Sequence, residues 1–249
     1  MKYFFAVMAC LIFVWGCSQT AGPSGPKGPS GNPAPNSFQA VFQNGVFPTS
    51  SYAGEIDTWA DGGQQATVLG GNAFRRIKTG SGASAYGRVL LKFDVTSIPV
   101  NAQVISAEVQ MKTMNTTNIG SNPVTVGVHD LPVSIYTGGC IWSLTATWTE
   151  YGSSNVWFSC DGDSSGSQLS FFNNTPLNTV SLTNSINSTS ALYAWTIPAS
   201  TIQTWISGKN NGLVLRSEGE FTESVSSIDF YPYNDATASN HATLLVTYQ

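Results

Sequence analysis

Charged side chains are scarce in this 249-residue chain, where Asp, Glu, Lys and Arg together make up 10% of the residues. An average soluble domain carries about 25%. Serine, threonine, asparagine and glycine fill the gap, and the shortage of strong helix formers such as Glu and Lys argues against long helices. The hydrophobic fraction of 41% is still enough for a packed core, which excludes a wholly disordered chain.

Positive charge is especially sparse, and the sequence contains no run of basic residues. Lys2 and Lys27 are two of the ten basic residues, and all fourteen acidic residues follow position 37. Residues 38–249, the segment predicted to fold, therefore hold eight basic and fourteen acidic groups, a net charge of −6. Nucleic-acid binding, which requires a cationic face, is disfavoured.

Histidine is nearly absent, which bears on catalysis. Residues 160–166 read CDGDSSG and resemble the nucleophile loop of trypsin-like proteases. A catalytic triad also needs a histidine base, and neither His129 nor His241 lies in the protease histidine motif. A glycosidase needs only two carboxylates across a cleft, and fourteen acids leave that alternative open. We predict that the protein is not an enzyme.

The chain also lacks a hydrophobic run long enough to span a membrane, since its apolar stretch covers only residues 3–15. Lys2 precedes this stretch, and VWGC at residues 14–17 closes it. The pattern resembles a bacterial lipobox, which implies a signal peptide over residues 1–16 and a lipidated Cys17. The alternative is an ordinary secretory signal that is cleaved elsewhere and leaves a free secreted protein.

The residue after the lipobox cysteine is Ser18 rather than Asp. By the rules of that class of lipoproteins, this residue is typical of export to the outer membrane or cell surface of a bacterium. We therefore expect an exported protein that a lipid anchor holds at the membrane.

A short stalk is predicted over residues 17–37. Gly22, Gly25, Gly28 and Gly31 recur at every third position, which is a collagen-like register. One interpretation is a trimerising collagen stub that would make the protein a homotrimer. The other, which four triplets favour, is a Gly/Pro spacer that holds the domain away from the membrane.

The remaining sequence predicts a single all-β domain with one helical turn. Pro198 begins that turn, Ile202, Trp205 and Ile206 form its inward stripe, and Gly208 ends it. Many short β-branched segments between Gly, Asn and Ser clusters predict a two-sheet antiparallel sandwich. The predicted strands are 38–46, 55–60, 73–78, 88–95, 104–113, 124–129, 143–148, 193–197, 212–216, 225–231 and 242–248.

Two cysteines fall within this domain, and an exported protein is expected to join Cys140 and Cys160 in a disulfide. The acidic loop after Cys160 offers oxygen ligands for calcium from Asp161, Asp163 and Ser165. The alternative for this loop is a solvated turn. No cofactor is required, and calcium, if bound, would be structural.

Several motifs together resemble the DNRLRE-type domain, which is related to a carbohydrate-binding module family with alginate binders. The most specific are RVLLKFDVTSIP at 88–99 and IQTWISGKNNGLVLRS at 202–217. The other matching stretches are 57–59, 70–77, 104–109, 148–150, 156–157 and 242–248. The resemblance implies a jelly-roll-like β-sandwich that serves as a non-catalytic module.

The expected function is polysaccharide binding, with an anionic polysaccharide as one option. Exposed aromatic rings would stack on sugars, and basic side chains would pair with uronate carboxylates. For each aromatic residue, burial in the core is the favoured alternative, and the net charge of −6 argues mildly against a polyanion. The different-class alternative is a structural or adhesive surface lipoprotein with protein partners, trimeric through the stalk. The candidate residues are Trp59, Trp142, Trp157, Tyr231 and Tyr233 as platforms, and Arg75, Arg76, Lys78, Lys92 and Lys112 as cations.

Overall fold

A computed structural model confirms an all-β, jelly-roll-like sandwich of two antiparallel sheets. In the part of the chain that the structure describes, one short helix and one 3₁₀ turn interrupt the strands. Among the described residues, no helix combines the length and apolar character that crossing a membrane requires. The described residues are 36–80, 86–114, 123–131, 142–147, 150–152, 155–156, 174–183, 190–220 and 226–249.

The smaller sheet has four strands, and every pair in it is antiparallel. Its spatial order is β1 (Phe38–Phe42), β13 (Thr243–Tyr248), β5 (Val104–Lys112) and β10 (Leu192–Ile197).

The larger sheet has seven strands and forms the other layer of the sandwich. Its strand β2 (Glu55–Asp61) pairs with β4 outside the main path. A separate two-stranded ribbon joins β7 (Glu150–Gly152) and β8 (Asn155–Val156). The main path runs β12 (Ser226–Phe230), β3 (Arg75–Thr79), β4 (Gly87–Phe93), β11 (Leu213–Ser217), β6 (Val124–Asp130) and β9 (Asn178–Leu182).

The main core fills the space between the sheets, because alternate residues of each strand point to the same face. On β4, Val89, Leu91 and Phe93 belong to this core and are fully buried. Trp195 of β10 also lies there, and its indole nitrogen donates a hydrogen bond to the Val126 carbonyl at 3.0 Å. Because Trp195 lies on the smaller sheet and Val126 on the larger one, this hydrogen bond joins the two sheets in addition to their apolar packing.

The larger sheet is also covered on its outer face. Leu90 and Val214 point away from the main core and form a second buried cluster with Trp142 and Ala146. Gly70 lies close to this covering segment, since a Cβ there would come within 2.2 Å of the Leu144 carbonyl oxygen. Strand β4 is therefore buried on both faces, which matches the continuous apolar run VLL in its sequence.

The strand expected over 143–148 is wrong in its described part, and three observed strands, β7, β8 and β9, were not predicted. Residues 142–147 form turns rather than the expected strand, because Ser143 closes a local turn with the Ala146 amide at 2.9 Å and a hydroxyl contact with Thr145 at 2.7 Å. Strand β9 was not predicted, since its five residues lie within a Ser- and Asn-rich stretch.

The helical turn is confirmed as α1 (Ala199–Ile206). Pro198 stands at its N-cap position, and Ile202 and Trp205 are buried as the sequence predicts, whereas Ile206 is only partly buried.

Candidate binding pocket

The two most specific motif stretches, 88–99 and 202–217, lie side by side where strand β4 ends and helix α1 ends. A pocket of about 430 Å³ lies between them. Its volume is within the range of sites that hold small ligands. The lining residues are Ala53, Gly54, Ile56, Lys92, Phe93, Asp94, Val95, Thr96, Trp205, Gly208, Lys209, Asn210 and Asn211.

The end of α1 positions one side of the pocket. Gly208 has a φ of 87°, a left-handed conformation that favours glycine. Its amide donates to the Trp205 carbonyl at 3.0 Å, and the Lys209 amide donates to the Thr204 carbonyl at 3.2 Å. This pair of hydrogen bonds is a Schellman motif, and it fixes the backbone of Lys209 beside the end of β4.

The turn after the helix is fastened to β4 through its side chains. The Asn210 side-chain nitrogen donates to the Phe93 carbonyl at 2.6 Å, and its oxygen accepts the Gly212 amide at 3.1 Å. Gly212 has a φ of 82°, and a Cβ there would come within 2.5 Å of the Leu91 carbonyl oxygen. The motif NNG therefore encodes a close approach of two backbones as well as a turn.

The opposite wall is tied down in the same way. The Asp94 amide donates to the Gly54 carbonyl at 2.7 Å, and the Tyr52 hydroxyl donates to the Asp94 carbonyl at 3.0 Å. The Asp94 carboxylate accepts the Thr96 amide at 2.9 Å. These backbone groups are satisfied within the protein, so the polar groups that the pocket offers to a ligand are chiefly side chains.

Two lysines supply the positive charge of the pocket. Lys92 is half-buried and Lys209 is exposed. Burial lowers the pKa of Lys92, and the nearby Asp94 carboxylate opposes that shift. Within the described part of the chain, neither lysine forms an ion pair or a side-chain hydrogen bond. An anion entering the pocket would meet ammonium groups without a carboxylate already bound to them.

The basic residues singled out on β3 are arranged differently. Arg75 is 0% exposed, and its guanidinium bonds the Asp57 carboxylate and the carbonyls of Gly70 and Asn72. Arg76 makes a two-pronged ion pair with Asp229, at 2.6 and 2.8 Å. Because acidic partners occupy both side chains, the expectation that they form a cationic sugar-binding face is not supported.

Lys78 and Lys112 are likewise engaged. The ammonium of Lys78 lies 3.0 Å from the Asp61 carboxylate. Lys112 donates to the Asn240 side-chain oxygen at 2.7 Å, and its ammonium lies 5.7 Å from the ring centre of Tyr231. Of the five expected cations, Lys92 alone lies in the pocket.

The expected aromatic platforms in the described residues do not form an exposed stacking surface. Trp59 is 3% exposed and Trp142 is 2% exposed, so both belong to the core, as the favoured alternative held. The Trp142 indole instead donates to the carbonyl of the pocket residue Asn211 at 2.7 Å. Tyr231 and Tyr233 are half-buried, and the Arg75 guanidinium lies 5.7 Å from the Tyr233 ring centre.

Several predicted sites lie outside the described residues. They are the lipidated Cys17, the Cys140–Cys160 disulfide, the calcium ligands Asp161, Asp163 and Ser165, and the platform Trp157. In the described segments, no cluster of three His, Cys, Asp or Glu side chains is placed to hold a metal ion.

Lys209, the second cation of the pocket, was not among the predicted binding residues. A signal for it was present, because Lys209 follows Gly208 within the same motif stretch that carries Trp205 and the NNG turn. What the linear sequence did not show is that this stretch packs against the Lys92–Asp94 end of β4.

No protein-family model matches this chain, and no curated protein matches it. The likeness to the DNRLRE-type domain therefore rests on the quoted motif residues and stays a prediction.

Proposed function

We propose that this protein is a non-catalytic, surface-anchored lipoprotein whose β-sandwich binds polysaccharide through the pocket between β4 and α1. The observation that carries the proposal is the pair of lysines, Lys92 and Lys209, which line one pocket without forming an ion pair or a side-chain hydrogen bond among the described residues. The ligand would present an anionic group, such as a uronate carboxylate, to these two ammonium groups.

Charge-assisted hydrogen bonds from lysine to a carboxylate are about twice as strong as neutral ones. They would orient the ligand, while the exposed hydroxyl of Thr96 offers a further polar contact with a sugar hydroxyl. The ring systems that line the pocket, Phe93 and Trp205, are almost fully buried and add little stacking surface. Recognition would therefore depend on charge and hydrogen bonding more than on aromatic stacking.

The anchor belongs to the same proposal. Lipidation of Cys17 would hold the protein at the bacterial outer membrane or cell surface, and residues 18–37 would space the domain from it. Strand β1 begins at Phe38, directly after this spacer. A binding module displayed in this way would meet polysaccharide outside the cell.

The test is affinity electrophoresis of the full chain through gels that contain neutral or uronate-bearing polysaccharides. The wild type and the Lys112→Met control are expected to be retarded by a uronate-bearing polymer. The double variant Lys92→Met, Lys209→Met is expected to lose that retardation while its circular dichroism stays unchanged. Methionine keeps most of the lysine stem and removes its charge, and Lys112 is a matched control because it lies outside the pocket lining.

Two results would overturn the proposal. Lack of retardation by any polysaccharide would favour the alternative of a structural or adhesive lipoprotein with protein partners. Equal loss of retardation in the pocket variant and in the Lys112→Met control would show that the pocket does not hold the ligand.

A further inference from the structure

The distribution of positive charge restricts the kind of anion that this domain can accept. All eight basic residues that follow position 37 are described. Six of them are engaged by other side chains. Five form ion pairs with acidic groups, and these are Arg75, Arg76, Lys78, Arg88 and Arg216. The sixth, Lys112, is hydrogen-bonded to Asn240.

The two remaining cations, Lys92 and Lys209, line the same pocket. Outside the pocket, every basic side chain of the described residues therefore already has a polar partner. A polysaccharide chain that extends beyond the pocket would find no further pair of ammonium groups for its next anionic groups.

The surrounding charge is negative. Residues 38–249 carry a net charge of −6, and the exposed Asp94 lies in the pocket wall itself. Repulsion between this surface and additional carboxylates is felt over a Debye length of about 8 Å at physiological ionic strength. Each extra anionic group close to the pocket would therefore weaken binding.

We propose that the pocket selects a single, isolated anionic sugar flanked by neutral sugars, and that it discriminates against densely charged polyanions. This inference rests on the proposed function and narrows its ligand class. Lys92 and Lys209 neutralise one anionic group, while neutral flanking sugars avoid repulsion from the rest of the domain.

Three polymers test this directly when their binding to the full chain is measured by isothermal titration calorimetry at low salt. Glucuronoxylan carries isolated uronates on a neutral backbone, unsubstituted xylan is the matched neutral control, and polygalacturonate carries a uronate at every residue. Glucuronoxylan is expected to bind at least tenfold more tightly than xylan. It is also expected to bind at least tenfold more tightly, per uronate, than polygalacturonate.

The dependence of affinity on salt concentration is a second measurement that distinguishes glucuronoxylan from polygalacturonate. Affinity for glucuronoxylan is expected to fall modestly as salt rises, since one ion contact is screened. Affinity for polygalacturonate is expected to stay constant or rise, since salt screens repulsion. The double variant Lys92→Met, Lys209→Met is expected to bind glucuronoxylan no better than xylan.

The alternative outcomes distinguish the two proposals. Tighter binding of polygalacturonate, with affinity that falls steeply with salt and requires both lysines, would overturn the selection for isolated anions and leave the proposed function standing. Equal binding of xylan and glucuronoxylan would overturn the need for an anion. Binding of none of the three polymers would overturn this inference, and the electrophoretic test above would then decide whether the proposed function survives.

Discussion

The outer face of the larger sheet and the pocket at the end of β4 use the same kind of residue for different purposes. On the outer face, Arg88 makes a two-pronged, buried ion pair with Glu220, at 2.8 and 2.7 Å. In the pocket, neither Lys92 nor Lys209 forms an ion pair with any of the described residues. Each of the eight basic side chains after position 37 is thus either held by a polar side chain within the fold, as in the five ion pairs and in the contact of Lys112 with Asn240, or lines the pocket.

The difference teaches that the position of a basic residue on a strand is a poor guide to binding. Arg76 and Lys78 occupy outward positions on β3, yet Asp229 and Asp61 neutralise them. A neutralised arginine offers little net attraction to a second anion, because that anion must compete with a partner already in place. Charge that remains available for a ligand is the better indicator of a binding site.

The largest expected effect comes from breaking the buried pair on the outer face. The change Glu220→Ala leaves Arg88 buried without its main partner, so the free energy of unfolding is expected to fall by about 3–5 kcal/mol. Urea denaturation followed by tryptophan fluorescence measures this change. Lys209→Ala is the matched comparison, and its stability is expected to stay within about 0.5 kcal/mol of the wild type. A comparable loss of stability in both variants would contradict the distinction between a paired base on the outer face and an unpaired one in the pocket.

The next effect concerns the pH dependence of ligand binding. Burial lowers the pKa of Lys92, so this lysine loses its proton, and its attraction for an anion, at a lower pH than the usual lysine value of about 10.4. Affinity for glucuronoxylan is expected to fall about tenfold as pH rises through that lowered pKa. The Lys92→Met variant should bind more weakly and should lack this fall in affinity. An identical pH profile in both proteins would exclude Lys92 as a contact.

A smaller effect is expected from Asp130, a half-buried carboxyl at the end of β6. Burial raises its pKa to about 6, above the unfolded value of about 3.9. The folded state therefore holds this proton more tightly, and the stability it contributes declines as pH rises from about 4 to about 6. After allowance for solvent screening, Asp130→Asn is expected to raise the free energy of unfolding by about 1 kcal/mol at pH 8. Denaturation at pH 3.5 should show no such gain, and a gain of equal size there would contradict the assignment to ionisation.

The smallest expected effect is on ligand binding by the change Arg76→Met. Because Asp229 holds the guanidinium, glucuronoxylan affinity is expected to stay within about twofold of the wild type, even though burying Asp229 without its partner lowers stability. Calorimetry at a temperature where the variant is folded measures this. A tenfold loss of affinity would instead place the binding site on the outer face of the larger sheet, where Arg76 lies.

Much of the fold could be predicted from the sequence because its patterns are local. The strand predicted over 88–95 is observed as β4 (Gly87–Phe93) and is indicated by a short apolar run, and the end of α1 is indicated by Gly208 at a left-handed position. The strand predicted over 143–148 is wrong for its described residues 143–147, whose alternating pattern belongs to a turn that packs Trp142 and Ala146 on the outer face of the larger sheet. Periodicity reports which side chains are buried and does not by itself distinguish a strand from a packed turn.

The site was predicted less well, because pairing between distant residues decides it. Arg76 and Asp229 are 153 positions apart, and Arg88 and Glu220 are 132 apart. The sequence offered no means to know that these acids neutralise those bases, while Lys92 and Lys209 remain without a partner in the described residues. Lys92 was among the expected cations. Lys209 joins it in the pocket because the NNG turn packs against the backbone of Phe93.

The most direct test of the central claim is a nuclear magnetic resonance titration of the reductively ¹³C-methylated full chain with a glucuronoxylan oligosaccharide. Each lysine gives its own methyl signal, and Lys→Arg variants assign the signals. Once the methylated protein is shown to retain binding, the signals of Lys92 and Lys209 are expected to shift together with one dissociation constant, while those of Lys78 and Lys112 stay in place. Shifts at Lys78 or Lys112 with none at Lys92 and Lys209 would contradict the account.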